Sequence, residues 1–280
     1  MSSSKSTADV LIRQTKTAVF TAHRLIAWRL DPTSWPDARL AEPDEEFPNL
    51  VYERRITIVR SDAGADPILE QGKRVNVALA APHFDGVVLA RGVPLSFWRT
   101  LGRVSARRGY RYGMELRGGC IVPALGGGIC LLSNALFEMA ARLGWTILER
   151  HGHSMDAGIP VPGMWGLDAT VVWPHVDLRV APTTGRARLR VKVTGNELCL
   201  SVESGSPAVS DVLLSAVDDE TQRSHRTNRI VRRIGAREEV LAVNRKRVLE
   251  RTEPQKSCLT CDETTCKERV VVPSKNGART

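Results

Sequence analysis

The spacing of hydrophobic residues changes along the chain and predicts a mixture of helices and strands. Apolar residues three or four positions apart predict helices over 8–30 and 130–143, the second directly after three consecutive glycines. Alternating apolar and polar residues, or short apolar runs between turn residues, predict strands at 51–59, 75–80, 87–89, 145–150 and 168–173. Residues 102–119 are rich in Gly and Arg, and we expect them to form a loop.

A hairpin over residues 186–202 gives the clearest sheet prediction. Basic and apolar residues alternate along its first half, Gly195-Asn196 supplies the turn, and apolar residues return along the second half. We expect one face of this pair to be cationic and exposed and the other to be buried, which is typical of an antiparallel sheet. The predicted fold class is therefore α+β, with a helix that begins at Cys130 packed on an antiparallel sheet.

The same patterns divide the chain into four segments. Residues 1–72 hold a helix, a linker and a first strand, 73–203 a core domain, 204–250 an extension of that core, and 251–280 a cysteine-bearing basic tail. Of the 280 residues 42% are hydrophobic and 25% charged, which excludes a fibrous or wholly disordered protein. The sequence shows no apolar run long enough for a transmembrane helix or a signal peptide, so we expect a cytoplasmic location.

The net charge of +9 is concentrated near the carboxyl terminus. Residues 221–280 contain 15 Lys or Arg against 7 Asp or Glu, whereas the rest of the chain is close to neutral. Such a region can bind an anionic partner, such as a membrane surface or an acidic ligand, or it can simply be solvated. None of the chain's 14 aromatic residues interleaves with the tail's arginines, which argues against nucleic acid as a partner.

A thiol, an imidazole and a carboxylate form the first candidate site. Three glycines deliver Cys130 to the start of a helix, where the helix dipole lowers a thiol pKa and backbone N–H groups can hold an oxyanion. His151 or His153, on the strand that follows, can act as a base, and Asp168 on the next strand can orient it. The order of helix cysteine, strand histidine and strand aspartate is that of transglutaminase-like thiol enzymes, an analogy of topology alone.

A metal site is the alternative for the same histidines. Glu149, His151 and His153 are two residues apart on a predicted strand and therefore share one face. Two imidazoles and a carboxylate are common metal ligands. The spacing leaves open which histidine faces Cys130, because a shift of one residue in register exchanges the two faces.

The tail holds the second candidate site, Cys258, Cys261 and Cys266. A pair of cysteines two residues apart, with a third nearby, can bind zinc or an iron–sulfur cluster, although a closed zinc site needs a fourth ligand. The alternatives are a redox-active cysteine pair and a flexible tail whose thiols have no joint role. Arg99 belongs to an arginine-rich stretch that can bind carboxylates or phosphates, or can be solvated.

Several of these residues together resemble the VanW family. The resemblance covers about residues 73–203 and rests on Leu95-Ser96-Phe97-Trp98, Gly109-Tyr110, Gly126-Gly127-Gly128-Ile129-Cys130, Glu149-Arg150-His151-Gly152-His153-Ser154 and Asp168-Ala169-Thr170-Val171. The family takes its name from an accessory protein of vancomycin-resistance gene clusters, so the resemblance implies a link to glycopeptide resistance. It emphasises Cys130, His151, His153 and Ser154 without fixing their chemistry. The chain departs from the family pattern at Leu131, where a glutamine is usual, and in the added tail cysteines.

Three functions follow as hypotheses. The leading one is a thiol-dependent acyl transferase or hydrolase acting on a peptide, an amide or a precursor-like cell-wall substrate. In it Cys130 is the nucleophile, His151 or His153 the base and Asp168 the orienting group. The expected substrate contacts are Gly127, Gly128, Ser154 and Arg99. The others are a metal-binding protein and a non-catalytic module that binds a peptide or glycan.

Overall fold

The computed structural model describes residues 7–30, 44–59, 66–117, 120–156, 164–222, 224–248 and 258–259; within 7–30, side chains are described for Thr15 and 18–30. The helices in these ranges are α1 (Thr7–Leu30), α2 (Pro67–Ala80), α3 (Phe97–Leu101) and α4 (Cys130–Arg142). The strands are β1 (Asn49–Thr57), β2 (Val88–Ala90), β3 (Leu95–Ser96), β4 (Tyr112–Arg117), β5 (Cys120–Leu125), β6 (Thr146–Glu149), β7 (Met155–Asp156), β8 (Arg179–Ala181), β9 (Arg186–Thr194), β10 (Glu197–Ser204), β11 (Val212–Gln222), β12 (His225–Ile234) and β13 (Arg237–Val248). Short 3₁₀ turns occur at Asp44–Glu46, Ala81–His83 and Ala106–Arg108.

Antiparallel pairing dominates the sheets. One sheet has the order β1-β10-β9-β2, a second β11-β12-β13-β7, and smaller ones are β3-β8-β6 and β4-β5. Apart from β7, which runs parallel to β13, neighbouring strands in these sheets are antiparallel. Helices and antiparallel sheets thus form a mixed α+β protein, as predicted.

The predicted hairpin and cysteine-bearing helix are present. Strands β9 and β10 pair across Gly195-Asn196, with Leu189, Val191 and Leu200 buried beneath. Helix α4 begins at Cys130 and buries an apolar face that includes Leu132, Leu136 and Met139, because these residues recur at helical spacing. The core joins this face of α4 to the inner face of the first sheet and also includes buried residues of α2 and α3.

The predicted strand at 75–80 is wrong, because these residues are the second half of α2. The Asp66 side chain accepts hydrogen bonds from the backbone N–H groups of Ile68 and Leu69, and Pro67 occupies the first turn. The buried residues Leu69, Asn76 and Val77 then follow helical spacing. Residues 75–80 form a short, mostly apolar run, but these residues continue the helix that begins at the Asp66 cap.

Two further predictions differ from the structure. Residues 112–117 form β4 rather than a loop, since Gly113 lets this strand pass close to other main chain. Residues 168–171 lie in no ladder, and Val172 forms an isolated bridge with Val176. Ala169 and Val171 are buried, as the alternation predicted, but the Ala169 main chain pairs with side chains of α4 instead of a strand.

Helix α1 lies against the core through one face. Arg24 forms an ion pair with Glu149 of β6, and the Trp28 ring packs edge-on against Trp173, with ring centres 5.7 Å apart. None of the helices in the described ranges is long and apolar enough to cross a membrane.

Candidate active site

Main-chain contacts fix the turn that precedes Cys130. Gly126 and Gly128 have φ of 79° and 92°, a region that L side chains rarely adopt. A Cβ atom at Gly127 would lie 2.5 Å from the carbonyl carbon of Gly113, so the two backbones touch. The Asn76 amide donates to the carbonyl of Gly127 at 2.9 Å. The first residue of α4 is thus held at a defined place beside α2 and β4.

The thiol of Cys130 is half-buried and has several polar neighbours. Its sulfur lies 3.8 Å from the Thr170 hydroxyl. The backbone N–H of Val171 and the His153 ring lie close enough to lower the pKa of the thiol. Between the two histidines, the structure therefore places His153 at the thiol.

His153 is oriented by Asp168. Its Nδ1–H donates to Oδ2 of Asp168, and its backbone N–H donates to the same oxygen at 3.0 Å. Because Nδ1 is occupied by the carboxylate, Nε2 is the ring nitrogen left for the sulfur. The His153 imidazole thus lies between the Cys130 thiol and the Asp168 carboxylate.

Two cationic side chains contact Oδ1 of Asp168, the carboxylate oxygen that His153 does not bind. The Lys246 ammonium on β13 lies 2.6 Å from Oδ1, and the Arg150 guanidinium lies 3.3 Å from the same oxygen. Arg150 also donates to the Asp168 carbonyl at 2.6 Å and to the side chain of Asn244 at 2.8 Å. Both cations are largely buried, which favours a fixed carboxylate.

These contacts shift the pKa values in the direction that nucleophilic catalysis requires. Burial alone would raise the pKa of Cys130, but the hydrogen bond and charge of His153, helped by Val171 and Thr170, lower it. Burial disfavours charged His153, yet the hydrogen bonds to Asp168 and Cys130 raise its pKa to about 9. Burial opposes ionisation of Asp168 as well, and His153 and Lys246 nevertheless hold its pKa well below its usual range. Both shifts favour a thiolate facing an imidazolium.

Side chains of α4 attach the helix to the strand-like segment beside it. The Ser133 hydroxyl donates to the carbonyl of Ala169 at 2.6 Å, and the Ala169 N–H donates to Asn134 at 2.8 Å. The Thr170 N–H in turn donates to the carbonyl of His151 at 2.8 Å. The relative positions of thiol and imidazole are therefore set by direct bonds between their own segments.

Of the first backbone N–H groups of α4, which the sequence predicts as oxyanion donors, one near the thiol has no acceptor among the described residues. The N–H groups of Leu131 and Leu132 donate to the carbonyls of Gly128 and Ile129, so they are occupied. No acceptor within the described ranges takes the N–H of Cys130 itself. That group is adjacent to the sulfur and remains available to an oxyanion.

His151 does not join the thiol site. Its ring is exposed, and its Nε2 lies 3.3 Å from Glu149, which also accepts two hydrogen bonds from Arg24. His151 and His153 thus have different partners and do not share a ligand set. In the part of the chain that the structure describes, no three His, Cys, Asp or Glu side chains are grouped to hold a metal ion.

The remaining predicted residues fall in different places. Gly127 and Gly128 form the turn before Cys130, and Ser154 follows His153, with its carbonyl accepting from the Arg247 N–H at 2.9 Å. Arg99 lies on α3, where its guanidinium donates to the carbonyl of Trp28 at 3.1 Å. Cys258 is buried and donates its N–H to Ile121, whereas Cys261 and Cys266 lie outside the described residues.

Sequence reasoning missed the residues that support the site. Arg150 adjoins the histidine motif, so its position along the chain offered a signal. Thr170 likewise follows Asp168 closely. Lys246 is 78 residues from Asp168 and offered none, because only the tertiary fold brings a strand of the second sheet to this carboxylate.

Comparison with known proteins covers the same part of the chain. A family model described as VanW like protein matches residues 72–202. The chain is 30% identical over 144 residues to the vancomycin B-type resistance protein VanW of Enterococcus faecalis (strain ATCC 700802 / V583), an alignment covering 50% of this chain and 52% of that protein. It is also 30% identical over 141 residues to the uncharacterized protein YoaR of Bacillus subtilis (strain 168), covering 50% and 44%. The match therefore spans about half the length of these relatives or less. No solved structure matches the chain.

Proposed function

We propose, from the premise that this chain belongs to the VanW family through residues 72–202, that it is a thiol-dependent acyl transferase or hydrolase. The substrate class is a peptide, an amide or a precursor-like cell-wall compound, and the name of the Enterococcus relative supports a role linked to glycopeptide resistance. The observation that carries the proposal is the position of the His153 imidazole, which is bound to the Asp168 carboxylate and lies beside the Cys130 thiol. The order of these three residues along the sequence is that of transglutaminase-like thiol enzymes, although His153 and Asp168 lie on connecting segments rather than strands.

The proposed first step forms a thioester. The Cys130 thiolate attacks the carbonyl carbon of the substrate, and the resulting oxyanion is held by the Cys130 N–H. The His153 imidazolium then gives its Nε2 proton to the leaving amine as the carbon–nitrogen bond breaks. Asp168 keeps Nδ1 occupied throughout and stabilises the charged ring.

The second step releases the acyl group. Neutral His153 takes a proton from water, or from an acceptor amine, as the oxygen or nitrogen attacks the thioester carbonyl. The carbon–sulfur bond breaks, and Cys130 leaves as a thiolate. Water as acceptor gives hydrolysis, and an amine gives transfer.

The test uses p-nitrophenyl acetate as an acyl donor and intact-protein and peptide mass spectrometry as the readout. We expect release of p-nitrophenolate with one acetyl group on Cys130, abolished in Cys130→Ala and reduced about 10²-fold or more in His153→Gln. Cys199→Ala is the matched control, because this half-buried thiol lies on the first sheet, away from the histidine. Acetylation spread equally over the thiols, or none on Cys130, would favour the non-catalytic binding module.

A further inference from the structure

Helix α1 presents one face to the core, and its opposite face is exposed within the part of the chain that the structure describes. The covered face includes Thr21, Arg24 and Trp28, and Arg24 reaches Glu149 with contacts of 2.8 and 2.6 Å. Arg24 also donates to the carbonyl of His175 at 3.0 Å. These contacts fix the rotation of the helix about its own axis.

The uncovered face carries an apolar stripe, Val19, Ala22, Ile26 and Leu30. Their spacing of three, four and four residues places them on one side, about 180° from the Arg24–Trp28 face at roughly 100° per residue. Val19, Ile26 and Leu30 are 61%, 57% and 74% exposed. Apolar residues on the outer face of a helix that is already docked do not stabilise the fold. The exposed stripe therefore indicates a binding surface.

Charge favours an anionic occupant. Besides Arg24, which pairs with Glu149 on the covered face, helix α1 contains the basic residues Arg13, Lys16 and Arg29 against a single acidic residue, Asp9. Arg29 is exposed beside the stripe, and the whole chain carries a net charge of +9. A second copy of this chain would bring like charges together, whereas a bilayer with acidic lipids would attract them.

The exposed apolar area of α1 also favours a membrane over a protein partner. The exposed apolar side chains of α1, which are the three large residues of the stripe with Phe20 and Leu25, offer on the order of 500 Å², below the ~800 Å² per partner of a stable protein interface. A bilayer needs no such minimum, because an amphipathic helix lying in the interface gains energy from each side chain that it inserts.

We propose that the apolar stripe of α1 binds the surface of a membrane that contains anionic lipids. The helix lies in the plane of the bilayer, Val19, Ile26 and Leu30 enter the boundary between headgroups and acyl chains, and the Arg24–Trp28 face keeps the protein body attached. This inference is independent of the chemistry proposed for Cys130.

The test is vesicle flotation of the full chain. We expect binding to vesicles of phosphatidylcholine with phosphatidylglycerol at about 3:1, much weaker binding to phosphatidylcholine alone, and weaker binding at high salt. The variant Val19→Gln/Ile26→Gln/Leu30→Gln should bind about tenfold more weakly or worse. The matched control, Leu213→Gln/Val240→Gln/Val243→Gln, replaces exposed apolar residues on the second sheet and should bind as the wild type does.

A second variant distinguishes loss of binding from loss of folding. Val19→Ala/Ile26→Ala/Leu30→Ala keeps a high helix propensity and removes most of the apolar area, so it should fold by circular dichroism and still lose binding. The proposal is overturned if the wild type does not bind the vesicles that contain phosphatidylglycerol. It is also overturned if both α1 variants bind these vesicles as well as the wild type does. A wild-type dimer in light scattering that the alanine variant dissociates overturns it in favour of a second copy. Acetylation of Cys130 is unchanged in every case, which separates this test from that of the proposed function.

Discussion

The ammonium of Lys246 lies 2.6 Å from Oδ1 of Asp168, and the imidazole of His153 binds the other oxygen of the same carboxylate. Lys246 is outside residues 72–202, the part that matches the VanW family model. The orientation of the proposed base therefore depends on a strand that the family comparison does not include.

Replacing Lys246 with Met should lower the free energy of unfolding by about 1–3 kcal/mol. The reason is that Oδ1 of Asp168 stays largely buried and keeps only the longer contact to Arg150. Urea denaturation at pH 7 measures the change. Lys192→Met is the control, because Lys192 is exposed on β9 and its replacement should change stability by less than about 0.5 kcal/mol. Equal losses in the two variants would show that the contact contributes nothing specific.

The alkylation rate of Cys130 by iodoacetamide should rise with pH at a midpoint below that of a free thiol. His153 lowers the pKa of Cys130 against the effect of burial, so His153→Gln should move the midpoint above that of a free thiol. Peptide mass mapping from pH 5 to 9 gives both curves, with Cys199 as the internal reference. Identical midpoints in wild type and variant would contradict the ion pair. Protection that a chelator removes would instead reveal a metal ligand.

Asp168 should make the protein sensitive to acid. Its pKa is held below the usual value, so its ionised form stabilises the fold above about pH 4, the unfolded-state pKa, and that stabilisation is lost as pH falls further. The urea midpoint of the wild type should therefore decline more steeply between pH 5 and 2.5 than that of Asp168→Asn. The exposed ion pair of Asp218 with Arg229 supplies the control, because Asp218→Asn should keep the wild-type slope.

Arg232→Met should destabilise the protein by about 2–4 kcal/mol. The buried guanidinium of Arg232 donates to the carbonyls of Ala141 and Trp145 at the end of α4, at 3.2 and 2.9 Å, and pairs with Glu239 at 2.6 Å. Removing it takes a charged donor from the Trp145 carbonyl and breaks the ion pair with Glu239, whereas the Ala141 carbonyl keeps the Gly144 N–H at 3.4 Å. Arg237→Met, at a side chain that is 80% exposed, should cost less than about 0.5 kcal/mol. Thermal or urea denaturation of the two variants measures the loss of stability in each.

Gly127→Ala should cost about 2–4 kcal/mol or prevent folding, because its Cβ would meet the main chain of Gly113 at 2.5 Å. Gly205→Ala is milder, since its nearest contact would be the Glu46 carbonyl oxygen at 3.0 Å. Expression yield and urea denaturation compare the two variants. A folded Gly127→Ala protein of wild-type stability would mean that this backbone contact is not needed.

Local signals made part of the fold predictable. The α4 helix and the β9–β10 hairpin were predicted correctly, because helical periodicity and a Gly195-Asn196 turn act over short distances. The strand prediction at 75–80, the second half of α2, is wrong because it rests on a short, mostly apolar run of six residues, whereas the cap that starts the helix lies at Asp66, ten residues before the buried Asn76. The cysteine, histidine and aspartate of the candidate site came from motif spacing. The choice between His151 and His153 needed the tertiary structure, as did the roles of Lys246 and Arg150.

Strand β13 holds the site at two points. Lys246 reaches Asp168, and the next residue, Arg247, pairs with Met155 of the short strand β7 and donates its N–H to Ser154. Over the ranges that the structure describes, the β7–β13 ladder has two residue pairs, so it can open while the first sheet and α4 stay intact. Heating should therefore abolish thiol chemistry several degrees before the core melts, and residues 153–156 should exchange their amide hydrogens earlier than α4 does.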